Sequence, residues 1–279
     1  MTLATDSLIV DGVRLAYRDR GRGEPVIFIH GTPSHSYEWR DVVPHVEAAG
    51  FRTVTYDLLG YGRSERPVDR DTSVAGQTDL LEHFLDALGI EQVTIIAHDI
   101  GGAIGLRFSL SRPDRVRRLM LIDTVSYDSW PSSSWQKIID ENLDDCTSMP
   151  QDAFNALLTR QLKMTVTDHT LMDGDVLQAY LAPHQSTLGR VSFFEHQVRH
   201  YDSKFTREIS DELPRLTMPV RILWGEEDQW QPVRYAKRLS DAIPNARLAV
   251  VPEAGHFLME DAPERVVHEV LDLLRTPPR

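Results

Sequence analysis

The sequence predicts a doubly wound α/β fold, with a mostly parallel sheet of eight strands and a helical insertion. Three observations lead to this prediction. Short runs rich in Val, Ile and Leu recur along the chain, helical patterns lie between most of them, and one long interval lacks an apolar strand. Near-continuous apolar runs suit parallel strands that are covered on both faces. Strands that alternate with helices favour right-handed crossovers within one sheet.

The first two strands are predicted to form an antiparallel hairpin. In LIVDGVRLAYRDRG, two alternating runs flank the turn dipeptide Asp11-Gly12. Six further strands are predicted at VIFIH (26–30), RTVTYD (52–57), VTIIAH (93–98), RLMLID (118–123), VRILWG (220–225) and ARLAVV (246–251). Helical patterns between and after them cover 36–49, 74–89, 101–111, 232–242 and the closing segment FLMEDAPERVVHEVLDLLR.

The interval between the strand that ends at Asp123 and the strand that begins near Val220 is predicted to form a helical cap. Its helical periodicity is centred on 134–146, 150–163, 174–182 and 190–200. A structureless loop of this length does not suit a compact domain. We therefore expect a core domain formed by residues 1–124 and 217–279, with a cap formed by residues 125–216.

Composition excludes several function classes. The chain has 279 residues and 41% hydrophobic content, and its 30 Lys and Arg against 42 Asp and Glu give a net charge of −12. This acidity argues against a nucleic-acid partner and against an anionic membrane surface. The lone Cys146 cannot form an intrachain disulfide or a thiolate metal site. The sequence shows no targeting or spanning segment, so we expect a cytoplasmic protein.

The stretch AHDIGG at 97–102 places an acid where a buried strand turns sharply into a helix. A strand that ends in a small residue and is followed by x-Asp-x-Gly-Gly has the form of a nucleophile elbow, with aspartate in place of serine. The start of the helix favours negative charge, which keeps Asp99 ionised. An ionised carboxylate can attack a carbon that bears a leaving group and form an ester. Asp99 is therefore the candidate nucleophile.

Two later loops offer a base and an acid that orients it. His256 follows the last predicted strand in VPEAGHFLMED, and Asp228 follows the preceding strand in LWGEEDQWQP. Both loops leave the sheet edge at which Asp99 lies, and the order nucleophile, acid, histidine is the order found in hydrolases of this architecture. Asp123, at the end of another strand, is the alternative orienting acid. In HGTP, the backbone N–H of Thr32 is predicted to pair with that of Ile100 as an oxyanion hole.

These motifs resemble those of α/β-hydrolases in the branch that uses an aspartate nucleophile, which includes epoxide hydrolases and haloalkane or haloacetate dehalogenases. The likeness rests on HGTPSHSYEWR, DLLGYGRSERP, AHDIGGAIG, WGEEDQW and EAGHFLMED, which together cover the chain except the cap. The resemblance implies Asp99 as nucleophile, His256 as base, Asp228 as its partner, and Thr32 and Ile100 as oxyanion donors. No metal or organic cofactor is implied, and water is the expected second substrate.

Two departures from the family patterns argue against a dehalogenase. Haloalkane dehalogenases usually carry Trp after the nucleophile and Asn at the position of Thr32, whereas this chain has Ile100 and Thr32. Fluoroacetate dehalogenases carry arginines one and four residues after the nucleophile, where Ile100 and Ala103 stand here. Both departures remove a donor that the chemistry needs.

Epoxide opening needs a proton donor that faces the nucleophile, because the leaving oxygen stays attached to the substrate. In epoxide hydrolases two cap tyrosines generally supply it. Four cap side chains are the candidates for substrate binding: Tyr127, Trp130, Tyr180 and Tyr201. The three tyrosines are the candidate proton donors, and Trp130, Trp135 and His184 are also able to donate. By chain path, Tyr127 and Trp130 are the nearest to the active edge.

The sequence therefore predicts a hydrolase that opens an epoxide to a diol through an ester on Asp99. A haloalkane or haloacid dehalogenase with the same nucleophile is the alternative. An esterase or lactonase, for which serine would be expected at 99, and a binder of a small ligand without turnover are weaker alternatives. The expected partners are a small apolar substrate and water, in a monomer or homodimer.

Overall fold

The computed structural model of the protein describes residues 4–278, and its centre is one sheet of eight strands. The strands are β1 (Asp6–Val10), β2 (Val13–Arg20), β3 (Pro25–Ile29), β4 (Arg52–Tyr56), β5 (Val93–His98), β6 (Val116–Ile122), β7 (Val220–Gly225) and β8 (Ala246–Val251). Their order across the sheet is β1-β2-β4-β3-β5-β6-β7-β8. The predicted α/β class and eight-stranded sheet are confirmed.

The pairing of the strands follows from their connections. β1 and β2 form the predicted hairpin, in which Val10 lies opposite Val13. The turn residues Asp11 and Gly12 have φ values of 49° and 79°, the left-handed conformation that tight two-residue hairpin turns require. β2 also pairs antiparallel with β4, while every later pairing is parallel. The carboxyl ends of β3, β5, β6, β7 and β8 therefore share one edge.

Helices cover both faces of the sheet, which explains why its central strands are apolar throughout. One face packs against α2 (Val74–Ala87), α3 (Ile100–Ser111) and α10 (Arg234–Ala242). The other face packs against α1 (Val43–Ala48), the short α11 (Leu258–Asp261) and α12 (Pro263–Arg275). The apolar cores on these two faces hold in place the sheet edge at which the carboxyl ends of the parallel strands lie.

The inserted segment, which lies between β6 and β7, contains helices and no strand, as far as the structure describes it. They are α4 (Ser133–Lys137), α5 (Leu143–Thr147), α6 (Gln151–Lys163), α7 (Gly174–Leu181), α8 (Thr187–Ser192) and α9 (Lys204–Arg207), joined by 3₁₀ and π turns. Its core is a third apolar cluster that includes Phe154 and Leu158 of α6 together with Phe257 of the sheet domain. Within residues 4–278, no helix is both long and apolar enough to span a lipid bilayer.

Candidate active site

Asp99 lies at a sharp turn between β5 and α3, with φ 52° and ψ −119°. A positive φ is costly for a residue other than glycine, so such a conformation persists only where its surroundings enforce it. The neighbouring glycines show how close the chains approach. A Cβ on Gly31 would lie 2.6 Å from Asp99 Cβ, and one on Gly101 would lie 2.5 Å from the carbonyl oxygen of Ile29. The turn has the conformation expected of a nucleophile elbow.

The Asp99 carboxylate is buried and held by the backbone of the β3 loop. Its side chain receives a hydrogen bond at Oδ1 from the Thr32 N–H, at 2.9 Å. Ile100 is the first residue of α3, and N–H groups at this position have no partner within the helix. Burial raises the pKa of Asp99, but interactions with His256, His98 and the Thr32 N–H outweigh it and hold that pKa below its usual value. Asp99 is therefore ionised at neutral pH.

The structure brings His256 and Asp228 to Asp99. The His256 Nδ1 lies 2.8 Å from Asp228 Oδ2, and its Nε2 lies 3.5 Å from Asp99 Oδ2. The His256 ring is fully buried, and Trp230 packs on it with ring centroids 5.1 Å apart. Burial lowers the pKa of His256, but the negative charges of Asp228 and Asp99 raise it well above its usual value. The ring is thus placed to exchange a proton beside Asp99.

Of the two candidate orienting acids, Asp228 is the one that contacts the histidine ring. Its Oδ1 is fixed by the N–H groups of Trp230, at 2.7 Å, and Gln231, at 2.8 Å. This leaves Oδ2 to accept from His256. A carboxylate oxygen of Asp123 lies within 4.8 Å of Asp228 and of the His256 ring. The Asp123 Oδ1 accepts from the Gly225 N–H at 2.8 Å.

A cavity of about 240 Å³ contains Asp99 and extends into the inserted segment. Its walls are mostly apolar and aromatic, and among its lining residues none carries a positive charge. The sheet domain contributes Thr32, Pro33, Asp99, Gln229, Trp230 and Gln231. The inserted segment contributes Val125, Ser129, Trp130, Pro131, Ser132, Trp135, Phe154, Leu157, Leu158, Gln161, Met164, Phe193 and Tyr201.

Two of the four predicted substrate-binding side chains, Trp130 and Tyr201, line this cavity. Their rings are in contact, with centroids 5.2 Å apart. The Tyr201 hydroxyl lies 2.6 Å from Thr32 Oγ1, and burial raises the pKa of Tyr201, which keeps this hydroxyl protonated. The indole N–H of Trp130 is buried and has no hydrogen-bond partner among the described residues. Both residues that line the cavity therefore carry a hydrogen-bond donor.

Tyr127 and Tyr180 do not reach the cavity, which corrects the expectation for these two residues. The Tyr127 hydroxyl donates to the carbonyl oxygen of Arg238 in α10, at 3.2 Å. The Tyr180 hydroxyl donates to Glu260 Oε1, at 2.6 Å, in a buried contact between α7 and α11. Proximity along the chain favoured Tyr127. Its backbone is left-handed, with φ 52°, and its side chain contacts Arg238 and not the cavity.

Several lining residues were not identified from the sequence, although it carries signals for some of them. Phe154, Leu157, Leu158 and Gln161 lie at i, i+3, i+4 and i+7 of α6 and so share one face of this helix. Trp230 and Gln231 immediately follow Asp228. The spacing in α6 could have identified one wall of the cavity. Trp230 and Gln231 line the cavity because they belong to the loop that carries Asp228.

Comparisons with known proteins agree with this architecture. A family model described as alpha/beta hydrolase fold matches residues 24–263. A solved alpha/beta hydrolase fold protein from Burkholderia ambifaria is 33% identical, with a TM-score of 0.89, and the match covers 96% of this chain and 97% of that one.

Two curated relatives have printed activities. Haloalkane dehalogenase 2 of Mycobacterium tuberculosis is 29% identical, over 93% of this chain and 91% of its own. The cis-3-alkyl-4-alkyloxetan-2-one decarboxylase of Shewanella oneidensis is 28% identical, over 93% of this chain and 85% of its own.

Proposed function

The chain belongs to the alpha/beta hydrolase fold family, and from this premise we propose that it hydrolyses an epoxide to a diol through a covalent ester on Asp99. The observation that carries the proposal is the position of Thr32. Its N–H holds Asp99 Oδ1 at 2.9 Å, and its Oγ1 holds the Tyr201 hydroxyl at 2.6 Å. A carboxylate and a protonated hydroxyl group are thus fixed by the same residue in one cavity. An epoxide needs both groups, a nucleophile for its carbon and a proton for its oxygen.

In the first half-reaction, Asp99 Oδ2 attacks an epoxide carbon, because Oδ1 is already bound to the Thr32 N–H. The carbon–oxygen bond of the ring breaks, and the ring oxygen takes the proton of the Tyr201 hydroxyl. The products of this step are a hydroxyalkyl ester on Asp99 and a Tyr201 phenolate. Loss of the Asp99 charge removes one of the causes that raise the pKa of His256, so the imidazolium releases its Nε2 proton to solvent and becomes a neutral base.

In the second half-reaction, His256 takes a proton from water, and the resulting hydroxide adds to the ester carbonyl carbon. The developing charge on Oδ1 is stabilised by the Thr32 N–H and, as predicted from the sequence, by the Ile100 N–H. Breakage of the bond between Cγ and the alkyl oxygen releases the diol, which takes the proton from His256. The acid proton left on Asp99 then returns to Tyr201. With the Asp99 charge regenerated, His256 takes up a proton from solvent again, and the starting state is restored.

The lining of the cavity favours a small substrate without charge. A carboxylate substrate needs a cationic partner when it is buried, and the lining residues include no Lys, Arg or His. Aromatic and aliphatic walls favour an apolar body. A haloacid therefore fits this cavity less well than an alkyl or aryl epoxide.

Haloalkane dehalogenation is the second candidate, and the buried indole N–H of Trp130 is the observation that favours it. A departing halide needs N–H donors, and Trp130 lines the cavity with an indole N–H that has no partner among residues 4–278. One relative at 29% identity is a haloalkane dehalogenase. The first half-reaction would then release halide from the same attack by Asp99, and no proton from Tyr201 would be needed.

The experiment that tests the proposal is a parallel screen of epoxides, haloalkanes and oxetan-2-ones, with detection of diol, halide and carbon dioxide. The third group is included because a relative acts on such a strained ring. We expect diol formation from uncharged epoxides. Halide release without diol formation would select the dehalogenase, and release of carbon dioxide would select the oxetanone chemistry. Binding of these compounds without any product would contradict a catalytic role.

A further inference from the structure

A second buried carboxyl group, that of Asp123, lies next to Asp228 and is not among the residues that line the cavity. Asp123 follows β6 and Asp228 follows β7, and both side chains are buried. Carboxylate oxygens of both residues and a ring nitrogen of His256 all lie within 4.8 Å of one another. Two carboxyl groups therefore lie close to one histidine ring, although one carboxyl group is enough to orient it.

The hydrogen bonds of these groups leave one oxygen without a donor. Asp228 Oδ1 accepts from two backbone N–H groups, and Asp228 Oδ2 faces His256 Nδ1. Asp123 Oδ1 accepts from the Gly225 N–H. Asp123 Oδ2 is buried and has no donor among the described residues. An ionised carboxylate with such an oxygen would pay a large desolvation cost.

Two adjacent buried carboxylates also repel each other, and a shared proton removes both the repulsion and the missing donor. We propose that Asp123 is protonated in the folded protein and donates its hydrogen bond to Asp228, so that one proton is shared by the two carboxyl groups behind His256. The carboxyl proton lies on Asp123 because Asp228 already accepts three N–H groups, which stabilise its ionised form.

The electrostatics of the surroundings agree with this assignment. Burial, followed by the negative charge of Asp228, raises the pKa of Asp123 well above its usual value, and His256 and the Gly225 N–H act in the opposite direction. The titratable groups that face Asp123 are Asp228 and His256, with Asp99 on the far side of the ring.

A neutral Asp123 has two consequences for the site. It fixes the orientation of Asp228, and it leaves His256 beside one negative charge on this side instead of two. Asp123 is thus a positioning residue for the histidine. This role rests on the proposed function, whereas the protonation of Asp123 does not.

The protonation is tested by thermal unfolding of wild type and Asp123→Asn across pH. Asparagine has the shape of a protonated aspartic acid, accepts from Gly225 and donates to Asp228, but it does not titrate. A raised folded pKa contributes stability that is present below the unfolded pKa and lost as pH rises through the folded pKa. We expect the Tm of wild type to fall relative to that of Asp123→Asn between about pH 4 and pH 9. A Tm difference that is constant over this range would overturn the proposal.

The positioning role is tested by pH–rate profiles of Asp123→Asn, Asp123→Leu and Asp228→Asn on a substrate that wild type consumes. With a neutral Asp123, the asparagine variant keeps its rate within about fivefold and keeps the midpoint of the acid limb, because the charge beside His256 is unchanged. Leucine is similar in size to aspartic acid but has no hydrogen-bond donor, so we expect the rate of Asp123→Leu to fall by about tenfold or more.

Asp228→Asn removes the charge itself and is expected to shift the acid limb to lower pH. A similar downward shift of about one unit or more in Asp123→Asn would show that Asp123 is ionised, and would overturn the proposal. If no substrate is found, the pH dependence of Tm still decides the protonation. Failure of the proposed function and failure of this inference are therefore distinguishable.

Discussion

Asp99 combines two properties that a nucleophile needs, an ionised state and an oxygen that the backbone does not hold. The Thr32 N–H occupies Oδ1, so Oδ2 remains for the substrate. The residue sits at a turn that is fixed by the close approach of β3 and α3. Its substitution should therefore affect chemistry much more than folding.

We expect Asp99→Ala and Asp99→Asn to lose turnover while keeping a folded structure, since the turn is enforced by neighbouring glycines and not by the carboxylate. Turnover and circular dichroism of freshly purified protein provide the measurement. For the asparagine variant, mass spectrometry must exclude deamidation to Asp99. A wild-type rate in Asp99→Ala would rule out the covalent mechanism.

His256 is assigned to the second half-reaction, so its removal should separate the two halves. We expect His256→Gln to form the ester on Asp99 but not to hydrolyse it, because no base activates water. Intact-mass measurement after incubation with substrate should show one added substrate mass, which maps to the peptide that contains Asp99. Asp228→Asn should trap the same adduct to a smaller extent. An adduct mass elsewhere, or none with a substrate that wild type consumes, would contradict the assignment.

Tyr201 and Trp130 distinguish the two candidate reactions. If the leaving atom is an epoxide oxygen, Tyr201→Phe should slow ester formation by about 10²- to 10⁴-fold, the range for loss of a general acid. Trp130→Phe should then have a smaller effect. The rates are measured in single turnover in the His256→Gln background, which isolates the first half-reaction. The reverse order of effects would favour halide departure.

At the scale of elements, the elbow depends on how closely α3 packs against the end of β6. A Cβ on Gly102 would lie 2.2 Å from Thr124 Oγ1, and Thr124 is fully buried. We expect Gly102→Ala to destabilise the protein by about 1–3 kcal/mol through overpacking. Urea denaturation measures the free energy of unfolding.

A second variant separates overpacking from other effects of the substitution. In Gly102→Ala with Thr124→Ala, the side chain that the new methyl group meets is shortened. We expect the double variant to recover part of the lost free energy, because the Thr124 Cβ would still lie within 2.8 Å of the added atom. If Thr124→Ala brings no recovery, the cost of Gly102→Ala does not arise from this contact.

At the scale of the whole molecule, the sequence predicted the sheet and placed the loops of Asp99, Asp228 and His256 at one edge of it. It did not predict how the inserted segment packs. Asp99, Asp228 and His256 follow strands whose carboxyl ends share one edge, so their approach is a consequence of topology. Tyr180 could not be placed in this way. Its position depends on how α7 packs against α11, and helical periodicity does not specify that contact. The helices expected at 134–146 and 190–200 are likewise interrupted by π turns.

The charges of the active site also affect the stability of the whole molecule, in opposite directions along the pH scale. The pKa of His256 is raised well above its usual value by Asp228 and Asp99, so its charge stabilises the fold below the unfolded pKa of about 6.5. This contribution is lost as pH rises through the raised folded pKa. The pKa of Asp99 is lowered, so its contribution is present above the unfolded value and lost as pH falls through the folded one.

We therefore expect the Tm of wild type to exceed that of His256→Gln most between about pH 5 and pH 6.5, where Asp99 is ionised and His256 is protonated. The difference should shrink as pH rises through the raised pKa of His256, because the imidazolium loses its proton and its attraction to both carboxylates. Thermal unfolding in matched buffers measures this, and the same substitution at the exposed His45 controls for the change of side chain. A difference that stays constant from about pH 5 to pH 9 would mean that His256 carries no proton in the resting protein. Asp99 would then attack the substrate beside an already neutral His256, and ester formation would not be needed to deprotonate this ring.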